Sequence, residues 1–202
     1  MKRTISVYVL ALAMGLTTSA CTTETRVLSR SESAEYVTAS LSDHDFENAA
    51  HDMLNDMLTN ELSEKKSDGQ PYVMMISNIK NDTMQRINTE DLTDYIKKEL
   101  RRSGRVKTTD AFGDKASKNI AASRELANNA IVDKSTVKKN NTVKAYDLEL
   151  TGRISQRNSI VKKDKMIEYV FSLNLIDMND GTELWSDKKV ITKITDKKTE
   201  TW

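Results

Sequence analysis

Apolar and polar positions alternate most regularly in the last third of the chain, and that pattern dictates what the remainder must supply. Ile167, Tyr169, Phe171, Leu173 and Leu175 recur with period two, which puts five large side chains on one face of a β-strand. Asn179, Asp180 and Gly181 follow. Asp-Gly between apolar runs predicts a hairpin, because the turn needs φ > 0 and Gly adopts it without steric cost. Leu184, Trp185, Val190 and Ile191 supply the returning strand. Upstream, Tyr146 to Ile154 alternates as a half-buried strand does. The basic, polar stretch between Ile154 and Met166 reads as a connecting loop. A three-stranded antiparallel meander is predicted, with one apolar face that needs covering.

Two helical patterns upstream are suited to cover it. Ser42 or Asp43 caps the first, in which Phe46, Ala49, Ala50, Met53, Leu54, Met57, Leu58 and Leu62 share one face. The stretch Lys65 to Gly69 ends it. In the second, capped by Asn88 or Thr89, Leu92, Tyr95, Ile96 and Leu100 line one face, and Gly104 is placed to stop the helix in a left-handed conformation. Between them, Tyr72 to Ile79 is an almost continuous apolar run, the signature of a central strand covered on both faces. Lys80 to Thr83 reads as a polar loop. Only Val106 is apolar between Arg105 and Thr109, which suggests a short edge strand. Ile120, Leu126, Ala127, Ile131, Val137 and Val143 suggest one or two short helices, broken at Asn128-Asn129 and Asn140-Asn141. The expected fold is α/β in the α+β sense: a mixed β-sheet with a C-terminal antiparallel meander, flanked by helices.

Charge narrows the function classes. The 202 residues carry 31 basic and 30 acidic side chains, so no surplus points to nucleic acid or to an anionic membrane surface. The N-terminus is more specific. Lys2 and Arg3 precede an apolar run, Ile5 to Leu16, with Ser6 its one polar member. A span of ~30 Å of hydrocarbon takes about 20 apolar residues, so this run reads as an export signal, residues 1–20. Small residues Thr17 to Ala20 lead to Cys21, the sole cysteine. The arrangement resembles a bacterial lipobox, with Ser19 and Ala20 before the cut and Thr18 where Leu is commoner. Lipidation of Cys21 by palmitate-type acyl chains would account for a solitary thiol in an exported protein. Thr22, rather than Asp, follows it, which under the sorting rule that accompanies this resemblance favours the outer membrane, periplasmic face. Residues 21–43, rich in Ser, Thr and Glu, read as a lipidated flexible tether, and 44–202 as the globular domain.

No catalytic constellation assembles. Without a cysteine beyond Cys21 there is neither a second thiol nucleophile nor a CxxC metal site. His44 and His51 stand seven apart, whereas zinc-binding pairs usually stand three to five apart. No G-x-S-x-G elbow, phosphate-cradling loop or G-x-G-x-x-G occurs. Glu90 and Asp91 fall in the first turn of a helix, where carboxylates suit the dipole. The reading is a protein that is not an enzyme, with no catalytic residue, cofactor or metal.

Five short stretches carry a family resemblance: Ile79 to Thr83 after a strand; Ser103-Gly104-Arg105-Val106 closing a capped helix; Ala145 to Gly152; Tyr169 to Leu173; and Gly181 to Ser186. Behind a lipobox and in this order, they make the chain resemble the LpoB-type family of outer-membrane lipoprotein activators of penicillin-binding proteins, over roughly residues 44–194. The resemblance implies a mixed sheet flanked by helices. It also implies a monomeric regulator of peptidoglycan synthesis, and so of cell wall and cell shape, that binds and stimulates a bifunctional class A penicillin-binding protein and does no chemistry itself. The chain departs from the family at Lys144-Ala145-Tyr146-Asp147, where Gly-Ala-Asp-Tyr is common, and in its tether. Well-studied members have long Pro- and Gln-rich linkers; about twenty residues here extend at most ~80 Å and average ~25–30 Å as a coil. Residues committed to the core cannot also face a partner, so polar loops such as Lys80 to Arg86 and Arg157 to Lys165 are the candidates for contact. The alternative is an envelope-assembly or secretion accessory lipoprotein without enzymatic activity. A pore subunit would need further strands of about 9–11 residues with a lipid-facing stripe, and the meander's apolar set is needed for the core.

Overall fold

Ser42 opens the first helix, α1 (Asp43–Asn60), with a reciprocal cap: its Oγ accepts from the Asp45 N–H at 3.3 Å while Asp45 Oδ2 accepts from the Ser42 N–H at 3.0 Å. The computed structural model describes residues 42–112, 118–138, 141–161 and 164–195. The signal segment, Cys21 and all but the last two residues of the 21–43 tether lie outside the described residues. In α1, Phe46, Ala49, Ala50, Met53, Leu54 and Met57 are buried and Leu58 is half-buried. The methionines are core. The helix stops at Asn60 rather than at Lys65 to Gly69. Between Leu62 and Pro71 the chain has no apolar residue to hold a helical face down, and a turn that buries nothing gains little in water.

The second helix, α2 (Thr89–Arg102), is capped by Asn88, whose Oδ1 accepts from the Glu90 and Asp91 N–H groups. Glu90 and Asp91 occupy its first turn and Arg101 and Arg102 its last, the order the helix dipole favours. Leu92, Ile96 and Leu100 are buried, and Gly104 takes φ +70° just past the end.

The strands are β1 (Tyr72–Ile76), β2 (Lys80–Asp82), β3 (Val106–Thr109), β4 (Leu148–Val161), β5 (Asp164–Asp177) and β6 (Glu183–Thr195). A short helix, α3 (Lys118–Glu125), runs into a 3-10 turn at Leu126–Asn128. The sheet order is β3-β1-β4-β5-β6, with β2 also paired to β4. β3, β1 and β4 are parallel; β4, β5 and β6 are antiparallel. This is the mixed sheet with a C-terminal meander, an α+β fold. Gly181 sits at φ +78° in the β5–β6 turn.

Every apolar residue of the period-two series on β5 is at most 1% exposed, and α1 lies over it, Phe46 meeting Phe171 edge-on at 5.9 Å. Two polar ties fix α1 to β6: Trp185 Nε1 donates to Asp56 Oδ2 at 2.8 Å, and Lys193 Nζ lies 2.9 Å from Asp45 Oδ2.

Three further elements differ from expectation. β1 is a central strand, but only Met74 in it is buried and Met75 borders a cleft, so it is covered on one face rather than both. Lys80–Asp82 is a strand, paired with Arg153–Ser155 of β4. Arg157 to Lys165 is largely strand as well, since β4 and β5 stay paired out to Val161 and Asp164. Both segments are polar, and what holds them is backbone pairing, which side-chain pattern does not encode.

Asp147 pins the entry to β4. Its Oδ2 accepts from the Val73 N–H at 2.8 Å and its Oδ1 from Lys66 Nζ at 2.9 Å. Burial opposes the charge, but the Val73 amide and Lys66 outweigh it and hold the carboxyl below its ordinary 3.8; the same bond raises Lys66. A carboxyl depressed in the folded state contributes stability above its unfolded pKa and loses it as pH falls through the folded value. Asp147→Ala should therefore cost about 1.5–3 kcal/mol at neutral pH. The gap between parent and variant in urea melts should narrow below pH 3.8. A gap constant from pH 7 to 2 would contradict this.

Candidate partner-binding surface

The β2–α2 loop, residues 83–88, is built by its own side chains. Asn81 Oδ1 accepts from the Thr83 N–H at 3.1 Å and from Thr83 Oγ1 at 2.8 Å, while Asn81 Nδ2 donates to the Gln85 carbonyl at 2.9 Å. The Gln85 N–H donates back to Thr83 Oγ1 at 3.1 Å. Such closed side-chain-to-backbone turns define a loop without help from a core. The result is to hold Met84 out, 77% exposed. Its N–H donates to Gln156 Oε1 at 3.1 Å, and Asn158 Nδ2 lies 3.7 Å from its sulfur.

These bonds seat the loop on β4. Asp82 extends the junction: Arg153 Nε lies 2.6 Å from its Oδ2, and Lys80 Nζ 3.5 Å from its Oδ1. Beneath the loop the Tyr169 hydroxyl is buried, and burial raises its pKa against the opposing influence of the Gln85 side chain. Beyond Ile167, still buried on β5, the end of the β4–β5–β6 ribbon exposes apolar side chains. Ile160 is 70% exposed on one face of the ribbon, and Ile194 is 68% exposed on the other, the face that Val161 and Val190 share.

The two segments singled out by polarity, Lys80 to Arg86 and Arg157 to Lys165, thus meet at one end of the sheet. Within these segments Lys80, Arg86 and Arg157 are exposed cations and Met84 and Ile160 exposed apolar groups, with Arg153 of β4 exposed beside Lys80. Strand alternation sends Ile160 to one face of β4 and Arg157 to the other, so the two share its edge rather than one face. Apolar contact beside arginine is the composition that protein interfaces favour. Met84 and Ile160 fall inside the two segments expected to face a partner, each a large apolar residue without period partners in a polar stretch.

Elsewhere the helix histidines are locally engaged, His44 Nε2 with Asn48 at 3.1 Å and His51 Nε2 with Asn55 at 2.9 Å. Among the described residues no group of three or more His, Cys, Asp or Glu is placed to hold a metal ion, and no helix is long and apolar enough to cross a membrane.

Fold and surface together define a mixed-sheet α+β domain with apolar and cationic side chains exposed at one end of its sheet. The family model of the peptidoglycan-synthase activator LpoB matches residues 45–191, and the chain belongs to that family. The LpoB C-terminal domain from Salmonella enterica is 11% identical, at a TM-score of 0.41, over 73% of this chain and 98% of that one. The corresponding domain from Escherichia coli is 12% identical, at 0.44, over the same shares. Lipoprotein GNA1162 from Neisseria meningitidis is 15% identical, at 0.37, over 65% of this chain and 88% of that one. No curated protein matches the chain. The assignment rests on the family match.

Proposed function

We propose that this chain is an outer-membrane lipoprotein, anchored through Cys21 and facing the periplasm, that binds and stimulates a bifunctional class A penicillin-binding protein. The observation that carries the reading is the match to a family of peptidoglycan-synthase activators across almost the entire described fold. The synthase supplies the chemistry. This chain supplies binding energy, and a ligand shifts an equilibrium between two forms of its partner only as far as it binds one of them better. The contact face we assign is the loop-and-ribbon end, where Met84, Arg86 and Arg157 are exposed on backbone held rigid by hydrogen bonds and strand pairing. Pre-ordered anchors lose less entropy on binding than flexible ones.

The full chain in detergent should raise glycan polymerisation by the cognate synthase without consuming substrate itself. Met84→Asp combined with Arg157→Glu should weaken synthase binding at least tenfold, which is ~1.4 kcal/mol. The thermal melt should stay put, because both side chains are exposed. Lys134→Glu, exposed in the segment after α3, should leave binding intact. If the double variant stimulates as well as the parent, the assigned face is wrong. If the parent neither binds nor stimulates, the activator reading fails.

A further inference from the structure

Beyond the carboxyl ends of β1 and β3, against the first half of α2, lies a cleft of about 540 Å³. It is at the other side of β1 from the meander and shares no residue with the loop-and-ribbon face. β1 and β3 are adjacent parallel strands joined through α2. In such units the crevice past the strand ends is where ligands commonly sit, because strand-end loops and the helix start open there together. The volume falls within the range of small-ligand sites.

Its lining specifies a charge. α2 contributes Glu90, Asp94 and Lys97, and the residues after β3 contribute Asp110 and Phe112. Lys97 Nζ is bound to Asp110 at 2.6 Å. Among the described lining residues three carboxylates, one of them paired with Lys97, stand against one ammonium, so this part of the lining is net negative. Phe112 is 38% exposed and is held in place by the Tyr146 ring at 5.3 Å. An accessible aromatic ring beside carboxylates in a concave site is the chemistry that takes an ammonium or guanidinium group, through charge-assisted hydrogen bonds on one side and the ring quadrupole on the other. Ser77 and Asn78, at the end of β1, add neutral polar groups to the same wall. An anion meets repulsion here, and a neutral chain forgoes both charged contributions.

We propose that this cleft binds a cationic amine or guanidinium group. Two sources share that chemistry, a free small amine and a Lys or Arg side chain within a peptide. The proposal stands apart from the synthase reading, since either binding event can occur without the other. The test uses the full chain in detergent with three probes followed by NMR: 1,5-diaminopentane, acetyl-Ala-Lys-Ala-amide, and the same peptide with norleucine in place of lysine. The amine probes should shift the resonances of Ser77, Asn78 and Phe112, and the norleucine peptide should not. Asp94→Asn and Glu90→Gln should each weaken binding several-fold, and 0.5 M salt should do likewise. Both positions are exposed, so an unchanged melt will separate lost binding from lost folding. Tighter binding of the lysine peptide than of the diamine would identify a peptide side chain as the source, and the reverse a free amine. Equal binding of the norleucine peptide, or amine binding unaffected by both substitutions, overturns the proposal, as does the absence of any shift.

Discussion

Phe171→Ala should destabilise the domain by about 3–5 kcal/mol, the largest single effect expected of a core substitution here. Phe171 is fully buried in the middle of β5, with Ile154 of β4 on one side and Lys189 of β6 on the other. Its ring also takes the edge-on contact with Phe46 that couples the sheet to α1, and such aromatic pairs add ~0.5–1.5 kcal/mol beyond area. Removing it opens a cavity between two layers that are tied elsewhere by Trp185 to Asp56 and Lys193 to Asp45, so collapse is restrained. Domains of this size are stable by ~5–15 kcal/mol, so a large share is lost. In urea melts the midpoint should fall with little change in slope. Leu173→Ala, one step along the same face, should cost about 2–5 kcal/mol. Ser172→Ala and Asn174→Ala, on the other face, should stay near 0.5 kcal/mol. Small and equal effects across all four would mean that the sheet faces are assigned the wrong way round.

The second large effect is on location rather than stability. Cys21→Ser should release the protein from the outer membrane, as an uncleaved or a soluble periplasmic form. Each buried methylene contributes ~0.8 kcal/mol; one acyl chain holds a protein only marginally, and several hold it essentially for good. The substitution removes the attachment atom, so retention should drop from nearly complete to background in membrane fractionation. The described fold, from Ser42 onward, lies well past the changed residue, and its melt should not move. If Cys21→Ser protein still travels with outer membranes, the anchor assigned to Cys21 is wrong.

What sequence alone determined here is whatever a single element decides for itself. The pleat of a strand sends successive side chains to opposite faces, so the β5 series announced both the strand and its buried side. The 3.6-residue period did the same for Met53 and Met57 in α1 and for Ile96 and Leu100 in α2, all of them core. Ser42, Asn88, Gly104 and Gly181 were legible because caps and positive-φ positions admit few residue types. Membership of the family was legible too, from short motifs in order. Tertiary structure alone decided what depends on two distant segments at once. Lys80–Asp82 became a strand because β4 presented an unpaired edge at Arg153–Ser155. Arg157 to Val161 stayed extended because β5 lay opposite, residue for residue. Backbone amides and carbonyls are alike at nearly every position, so their pairing leaves no trace in the side-chain pattern. That pairing is what brought two polar stretches, some seventy residues apart, to one end of the sheet. It left Met84 and Ile160 outside any core, and it opened a cleft between strands whose adjacency no local period announces.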